Sequence, residues 1–385
     1  MSKKAVIEMP LRFQQLLVSL ALLFLAVPRL VAQPVVHCSV SEASSLPVYA
    51  TQGSWSPDGS KLLLVDPAKN EVYIYGGAGL EYLGTMPPPA FVGKNAFYPV
   101  SVRPVGKEML VEGYPQRLVL LGDRYQVKTA LHPLDIAVTS KKSVKRNQVK
   151  SLWNWTVAGG DIVACSDIEQ ADGSWITGIV RFPMGDSTHF QEFAPSDFKE
   201  PGWVFCRLGF PYFASIGDNA YVLLFRGQPG IYESSPGAKE LRRLNDYAPD
   251  NLQPVQLPEF SSRLQFAAAT MRAVEETTMP VGIYGWDGSL YVLYRQFDYR
   301  STRWVLHQVD PKTGKLLGQA EIHVDATHLM LIPGDKRWAL VQKGPALRLG
   351  EERTEAIRVI DARAIPQPLR GELCPKSEGP SPPKE

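Results

Sequence analysis

"WSPDGSKLLLVDPAKNEVYIYG", residues 55–76, decides how the chain is read. Pro57-Asp58-Gly59 has the composition of a tight turn, and Lys61 to Val65 is an apolar run of strand length. Asp66 to Asn70 supplies a second turn, and Val72 to Tyr75 a second strand. A single small twisted sheet of this kind cannot bury both of its faces alone. The stretch is therefore expected to be one unit of something that repeats.

The same order of turn, buried strand, turn and amphipathic strand recurs along the chain. Met109-Leu110-Val111 follows Arg103 to Lys107, and Ile162 to Cys165 follows Gly159-Gly160-Asp161. Ala220 to Leu224 follows Gly217-Asp218-Asn219. Trp286-Asp287-Gly288-Ser289 introduces Leu290 to Tyr294, and Pro311 to Lys315 closes that unit. Pro333-Gly334-Asp335-Lys336 introduces Arg337 to Val341, with Ala356 to Ile360 returning. From Leu64 through Leu110, Val163, Val222 and Val292 to Ala339, the strand centres lie 46, 53, 59, 70 and 47 residues apart.

Blades of four antiparallel strands need roughly 40 to 50 residues each. The spacing thus predicts an all-β, six-bladed β-propeller, closed into a ring by a strand from the amino terminus. A pair of β-sandwiches gives similar spacing, and seven or eight blades follow if a degenerate repeat hides between Asp246 and Thr278. Ser262 to Glu276 is the best helical candidate and falls in the longest interval as an insertion.

Residues 1–32 carry Lys3, Lys4 and Arg12, then the apolar run Leu16 to Val27 and the small-residue end Leu30-Val31-Ala32. That order predicts a secretory signal peptide cleaved after Ala32, and a periplasmic or secreted product. The apolar run is shorter than the roughly 20 residues of a spanning helix, so no stable membrane span is expected after cleavage. The segment holds four basic side chains and one acidic one, so the remaining chain keeps 37 basic and 38 acidic residues. The slight overall basicity belongs to the leader. One basic run, Lys141-Lys142-Ser143-Val144-Lys145-Arg146, has no interleaved aromatics to stack on bases, so it reads as a solvated loop and nucleic acid is not expected as a partner.

Cys38, Cys165, Cys206 and Cys374 all lie beyond the leader. An even count in an exported chain suggests two disulfides with three possible connectivities, and free buried thiols are the alternative. The absence of any C-x-x-C argues against a zinc site.

"WSPDGSKLLL" resembles the repeat signature of TolB-like propellers, and "GWDGSLYVLY" with "VDPKTGKLLG" is similar to blades of the wider bacterial six-bladed group. The resemblance covers most of residues 50–365 and implies a binding platform with a central channel. In many propellers an amino-terminal strand completes the last blade, and Val35 to Val40 suits that role. Such closure implies a Cys38–Cys374 clasp, leaving Cys165–Cys206 to tie the third unit to the fourth. Some relatives are calcium-dependent lactonases, but their acidic and asparagine ligands have no matched positions here, so no active site is carried over.

His323, Asp325 and His328 fall within six residues and are the metal-ligand candidates. Their alternation with Ile322 and Val324 is also what a half-exposed strand gives. No H-E-x-x-H, G-x-S-x-G or Gly-Lys phosphate loop occurs, and Gly76-Gly77-Ala78-Gly79 reads as a turn. The tryptophans suit either a ligand groove or the wedges between blades. Asn154-Trp155-Thr156 is a formal glycosylation sequon on a predicted strand.

Residues 366–385 hold six prolines and read as a flexible tail, which places the propeller at 33–365. The functional expectation is an exported monomeric platform for a protein, peptide or glycan, with no catalytic residues and no cofactor. The alternative is a metal-dependent hydrolase or lactonase centred on the channel, and calcium enters only with it.

Overall fold

A computed structural model describes residues 34–41, 52–66, 69–86, 97–114, 117–122, 124–133, 148–149, 152, 154–184, 190–193, 211–224, 230–247, 278–298, 301–324, 326, 328–343 and 355–375. The leader, the basic run at 141–146, the helical candidate at 262–276, Cys206 and Asp325 lie outside them.

β1 (Val35–Val36) and β2 (Ser39–Ser41) come first. The first sheet follows as β3 (Gln52–Trp55), β4 (Lys61–Asp66), β5 (Glu71–Gly76) and β6 (Glu81–Thr85). The second is β7 (Tyr98–Val105), β8 (Glu108–Tyr114), β9 (Arg117–Leu121) and β10 (Val127–Pro133). In the third, β11 (Gln148–Val149) and β12 (Asn154–Ala158) both pair with β13 (Asp161–Glu169), which is followed by β14 (Trp175–Pro183) and β15 (Gln191–Phe193). The fourth is β16 (Tyr212–Ile216), β17 (Asn219–Leu224), β18 (Gly230–Ser234) and β19 (Arg242–Arg243). The fifth is β20 (Met279–Trp286), β21 (Ser289–Asp298), β22 (Ser301–Val309) and β23 (Leu316–Ile322). β24 (His328–Ile332), β25 (Arg337–Lys343) and β26 (Glu355–Asp361) begin the sixth, and β27 (Glu372–Leu373) is the last described strand.

The turn at the start of the first sheet shows why the sequence reverses there. Gly59 takes φ +67°, and its N–H donates to the Ser56 carbonyl at 2.8 Å. The Asp58 carboxylate accepts from Ser56 Oγ at 2.6 Å and from the Ser60 N–H at 3.0 Å. These hydrogen bonds, that from Ser56 foremost, hold its pKa down to about 2.

Leu62, Leu63, Leu64 and Val65 are all fully buried, because β4 has a sheet on each side. Leu62 and Leu64 pack with Ile332, Ala339 and Val341 of the sixth sheet. Leu63 and Val65 pack with Val102, Met109 and Val111 of the second. The same two-sided packing joins the second sheet to the third, the third to the fourth, the fourth to the fifth and the fifth to the sixth. The contacts close a cycle. This is a β-propeller. Each buried leucine or valine contributes about 1.5–3 kcal/mol, so stability is distributed around the interfaces rather than held in one core.

Three expectations change. The six equivalent consecutive units become five blades of consecutive strands and one composite sheet, in which β2 pairs antiparallel with β26. The strand expected over Val35 to Val40 is split: β1 leaves that sheet and lies parallel to β27, which is itself parallel to β23. The tail is also shorter than expected. Leu369 and Leu373 are buried, and the backbone of Leu369 lies so close to Gly318 that a Cβ there would overlap its carbonyl oxygen. Residues 366–375 thus belong to the packed domain, because two leucines anchor a proline-rich segment that carries few other apolar side chains.

Cys38 sits at the crossing between β1 and β2 and is bonded to Cys374, with Cα atoms 4.9 Å apart. The pairing matches the clasp implied by ring closure. Cys165 is fully buried on β13.

Candidate functional site

The inner strands β3, β7, β12, β16, β20 and β24 together enclose a central cavity of about 510 Å³. Side chains of an inner strand alternate between the cavity and the neighbouring sheet. Gln52, Arg103, Asn154, Thr156, Tyr212, Ser215 and Tyr284 line it, with Arg295 reaching in from β21. Trp155, Phe213, Met279, Leu329 and Trp304 supply apolar wall. No Asp or Glu is among the described residues that line the cavity.

Arg103 is the most constrained of these groups. One Nη donates to Gln52 Oε1 at 3.1 Å, and the guanidinium lies 6.0 Å from the Trp155 ring centroid. Its Nε is buried with no acceptor among the described residues. Glu112 stands beside it on β8, 4% exposed, and accepts the indole N–H of Trp155. Burial pushes the Glu112 carboxyl up to about 7, against the opposing effects of the Trp155 hydrogen bond and the Arg103 charge.

Tyr284 is pushed up to about 12 by burial, with Arg103 acting in the other direction, and its oxygen accepts the Leu331 N–H at 3.4 Å. Tyr212 is raised by burial and by Tyr284, and Arg295 opposes the shift. Both phenols are therefore neutral at physiological pH and act as O–H donors. The described lining is rich in donors and lacks carboxylates.

Of the expected metal candidates, His323 and His328 are described and Asp325 lies outside the described residues. His323 follows β23, with Nε2 3.4 Å from a Glu372 carboxylate oxygen. His328 opens β24 at the cavity and is exposed. Among the described residues no group of three or more His, Cys, Asp or Glu is arranged to hold a metal ion.

Most of the described tryptophans fill wedges. Trp55 donates to the Ile332 carbonyl at 2.9 Å and so joins the first and sixth sheets. Trp304 donates to the Ala326 carbonyl at 3.1 Å, and Trp338 packs edge-on against Trp286 and Tyr291 at 5.0 Å. Asn154 of the sequon faces the cavity and donates to the Pro211 carbonyl at 3.2 Å. Gly77 and Ala78 form the turn after β5, where Arg337 caps the Gly77 carbonyl at 2.8 Å.

Arg103, Glu112 and Arg295 were not singled out from the sequence. The available signal was a charge set in or beside an apolar strand, as in "EMLVEGY" and "LYVLYRQF".

Among solved structures, a member of the DUF4221 family from Bacteroides vulgatus superposes with a TM-score of 0.54 at 10% identity, covering 85% of this chain and 97% of that one. A luciferin-regenerating enzyme matches at TM-score 0.46 and 12% identity, covering 84% and 97% of the respective chains. The putative TolB from Agrobacterium tumefaciens matches at 0.37 and 14%, covering 70% and 80%. No family model matches the sequence, and no curated protein matches it. The likeness at TM-score 0.54 concerns the fold alone.

Proposed function

We propose that this chain is an exported six-bladed propeller that serves as a binding platform, with the central cavity as its ligand site. The observation that carries this reading is the lining itself: donor groups and aromatic wall from six inner strands converge, and no described carboxylate faces the space. Cavities of this size hold small molecules or the end of a chain, and a few fixed polar groups in an apolar wall give orientation. The leader-like residues 1–32 and the Cys38–Cys374 bond support export, since disulfides persist in oxidising compartments. The six sheets, packed in a closed cycle, support the count of six blades.

The platform reading requires no cofactor. It is tested by metal analysis of the oxidised protein, thermal shifts with calcium, zinc and chelator, and a lactone and ester panel. The expected result is no stoichiometric ion, no chelator effect and no turnover. A stoichiometric calcium that raises the melting point, together with lactone hydrolysis, would replace the platform with the hydrolase.

A further inference from the structure

The charge balance of the cavity points to its ligand. Two guanidiniums, Arg103 and Arg295, reach it, and no described Asp or Glu lines it. The carboxyl beside Arg103, that of Glu112, is already engaged by the Trp155 indole. A guanidinium withdrawn from water is costly unless its charge and its N–H groups are answered. Arg103 keeps a buried Nε without an acceptor among the described residues, while one of its Nη groups donates to the neutral amide of Gln52.

Tyr284 and Tyr212 line the same cavity as the two arginines, and the Arg103 charge acts on Tyr284 as that of Arg295 acts on Tyr212. Tyr284 accepts from the Leu331 N–H, which leaves its own proton to give. The set thus combines two guanidiniums with two phenolic hydroxyls around one space.

We propose that the cavity binds the carboxylate of a small organic acid or of a peptide C-terminus, with Arg103 as the anchor and Tyr284, Tyr212 and Arg295 completing the donor set. The inference rests on the cavity being the ligand site. A planar guanidinium matches a carboxylate's two oxygens, and the aromatic wall of Trp155, Phe213 and Trp304 suits an organic body beside it.

The test is ligand-observed NMR on the oxidised full chain with two matched pairs: phenylacetate against phenylacetamide, and an Ala-Phe dipeptide with a free against an amidated C-terminus. Inorganic phosphate serves as competitor. At least one acid is expected to bind tenfold or more tighter than its amide, and whichever pair shows the difference identifies the source of the carboxylate. Arg103→Met is expected to weaken the acid tenfold or more and leave the amide unchanged, and Tyr284→Phe to weaken the acid less. The acid and amide comparison needs no variant, so a misfolded Arg103→Met protein does not remove the test.

Equal binding of acids and amides overturns the carboxylate assignment and leaves the cavity as a ligand site. Phosphate displacing every acid at lower concentration overturns it in favour of a phosphoryl ligand. Acid binding undiminished in folded Arg103→Met overturns the role of Arg103. Failure of all four probes to bind overturns both the assignment and the ligand-site reading.

Discussion

Trp155 donates its indole N–H to the carboxyl of Glu112 across the boundary between the third and second sheets, 43 positions apart in the chain. The bond fixes a carboxyl whose pKa stands at about 7 rather than 4.5 because it is buried. Between those values the folded chain keeps a proton that the unfolded chain has released. The contribution to stability is full below pH 4.5 and is lost as pH rises through 7, by up to about 3 kcal/mol. Glu112→Gln should remove that slope, as read from urea unfolding at pH 5 and pH 7.5. An unchanged pH difference in the variant would rule out the assignment.

His307 works in the opposite direction. Burial holds its pKa down to about 4, and the ring packs 4.6 Å from that of Tyr294 between centroids. The unfolded imidazole gains its proton near pH 6.5, whereas the folded one resists until about 4. Stability is therefore full above 6.5 and declines as pH falls through the window, by up to about 3 kcal/mol. His307→Gln should flatten the acid limb between pH 6.5 and 4.5 in denaturant titrations, even if its absolute stability is lower. A limb of wild-type steepness in the variant would place the acid sensitivity elsewhere.

Arg181 is a buried clamp between the third and fourth sheets. It is 4% exposed, pairs with Asp161 at 2.8 Å, and donates to the carbonyls of Ser234 at 2.9 Å and Asp218 at 3.0 Å. Arg181→Ala leaves those carbonyls and Asp161 without their donor and should cost about 3 kcal/mol in chemical unfolding. A loss under about 1 kcal/mol would show that water replaces the guanidinium at little cost.

Cys38→Ser should lower stability by about 2–4 kcal/mol under non-reducing conditions, the usual range for a native disulfide. Guanidinium midpoints of the two oxidised proteins measure it. Equal midpoints would mean that strand pairing alone holds the ring shut.

The architecture was legible wherever a turn states itself in residues. Pro57-Asp58-Gly59 and Trp286-Asp287-Gly288 carry their strands with them, and the fully buried run Leu62 to Val65 records cover on both faces. The split at Cys38 was not legible, because strands of two and three residues have no period to read. Pro366 to Cys374 was misread as tail, since proline content outweighed two leucines whose burial depends on the gap above Gly318. The cavity was the least legible. Arg103, Tyr212, Tyr284 and Arg295 stand on four strands from three sheets, and only the radial arrangement brings them to one space.

The composite sheet also sets a timetable. Val40 pairs with Arg358, and Cys38 bonds a residue 336 positions away. Five blades can form from neighbouring strands, at modest loop-closure cost, whereas the last must hold β2 unpaired until β26 arrives. Until then two sheet faces and a strand edge stand open, the state in which a repeat protein is most apt to pair with a second chain. Once Cys38 and Cys374 are joined, the covalent bond between these distant positions makes the closed ring the form that persists.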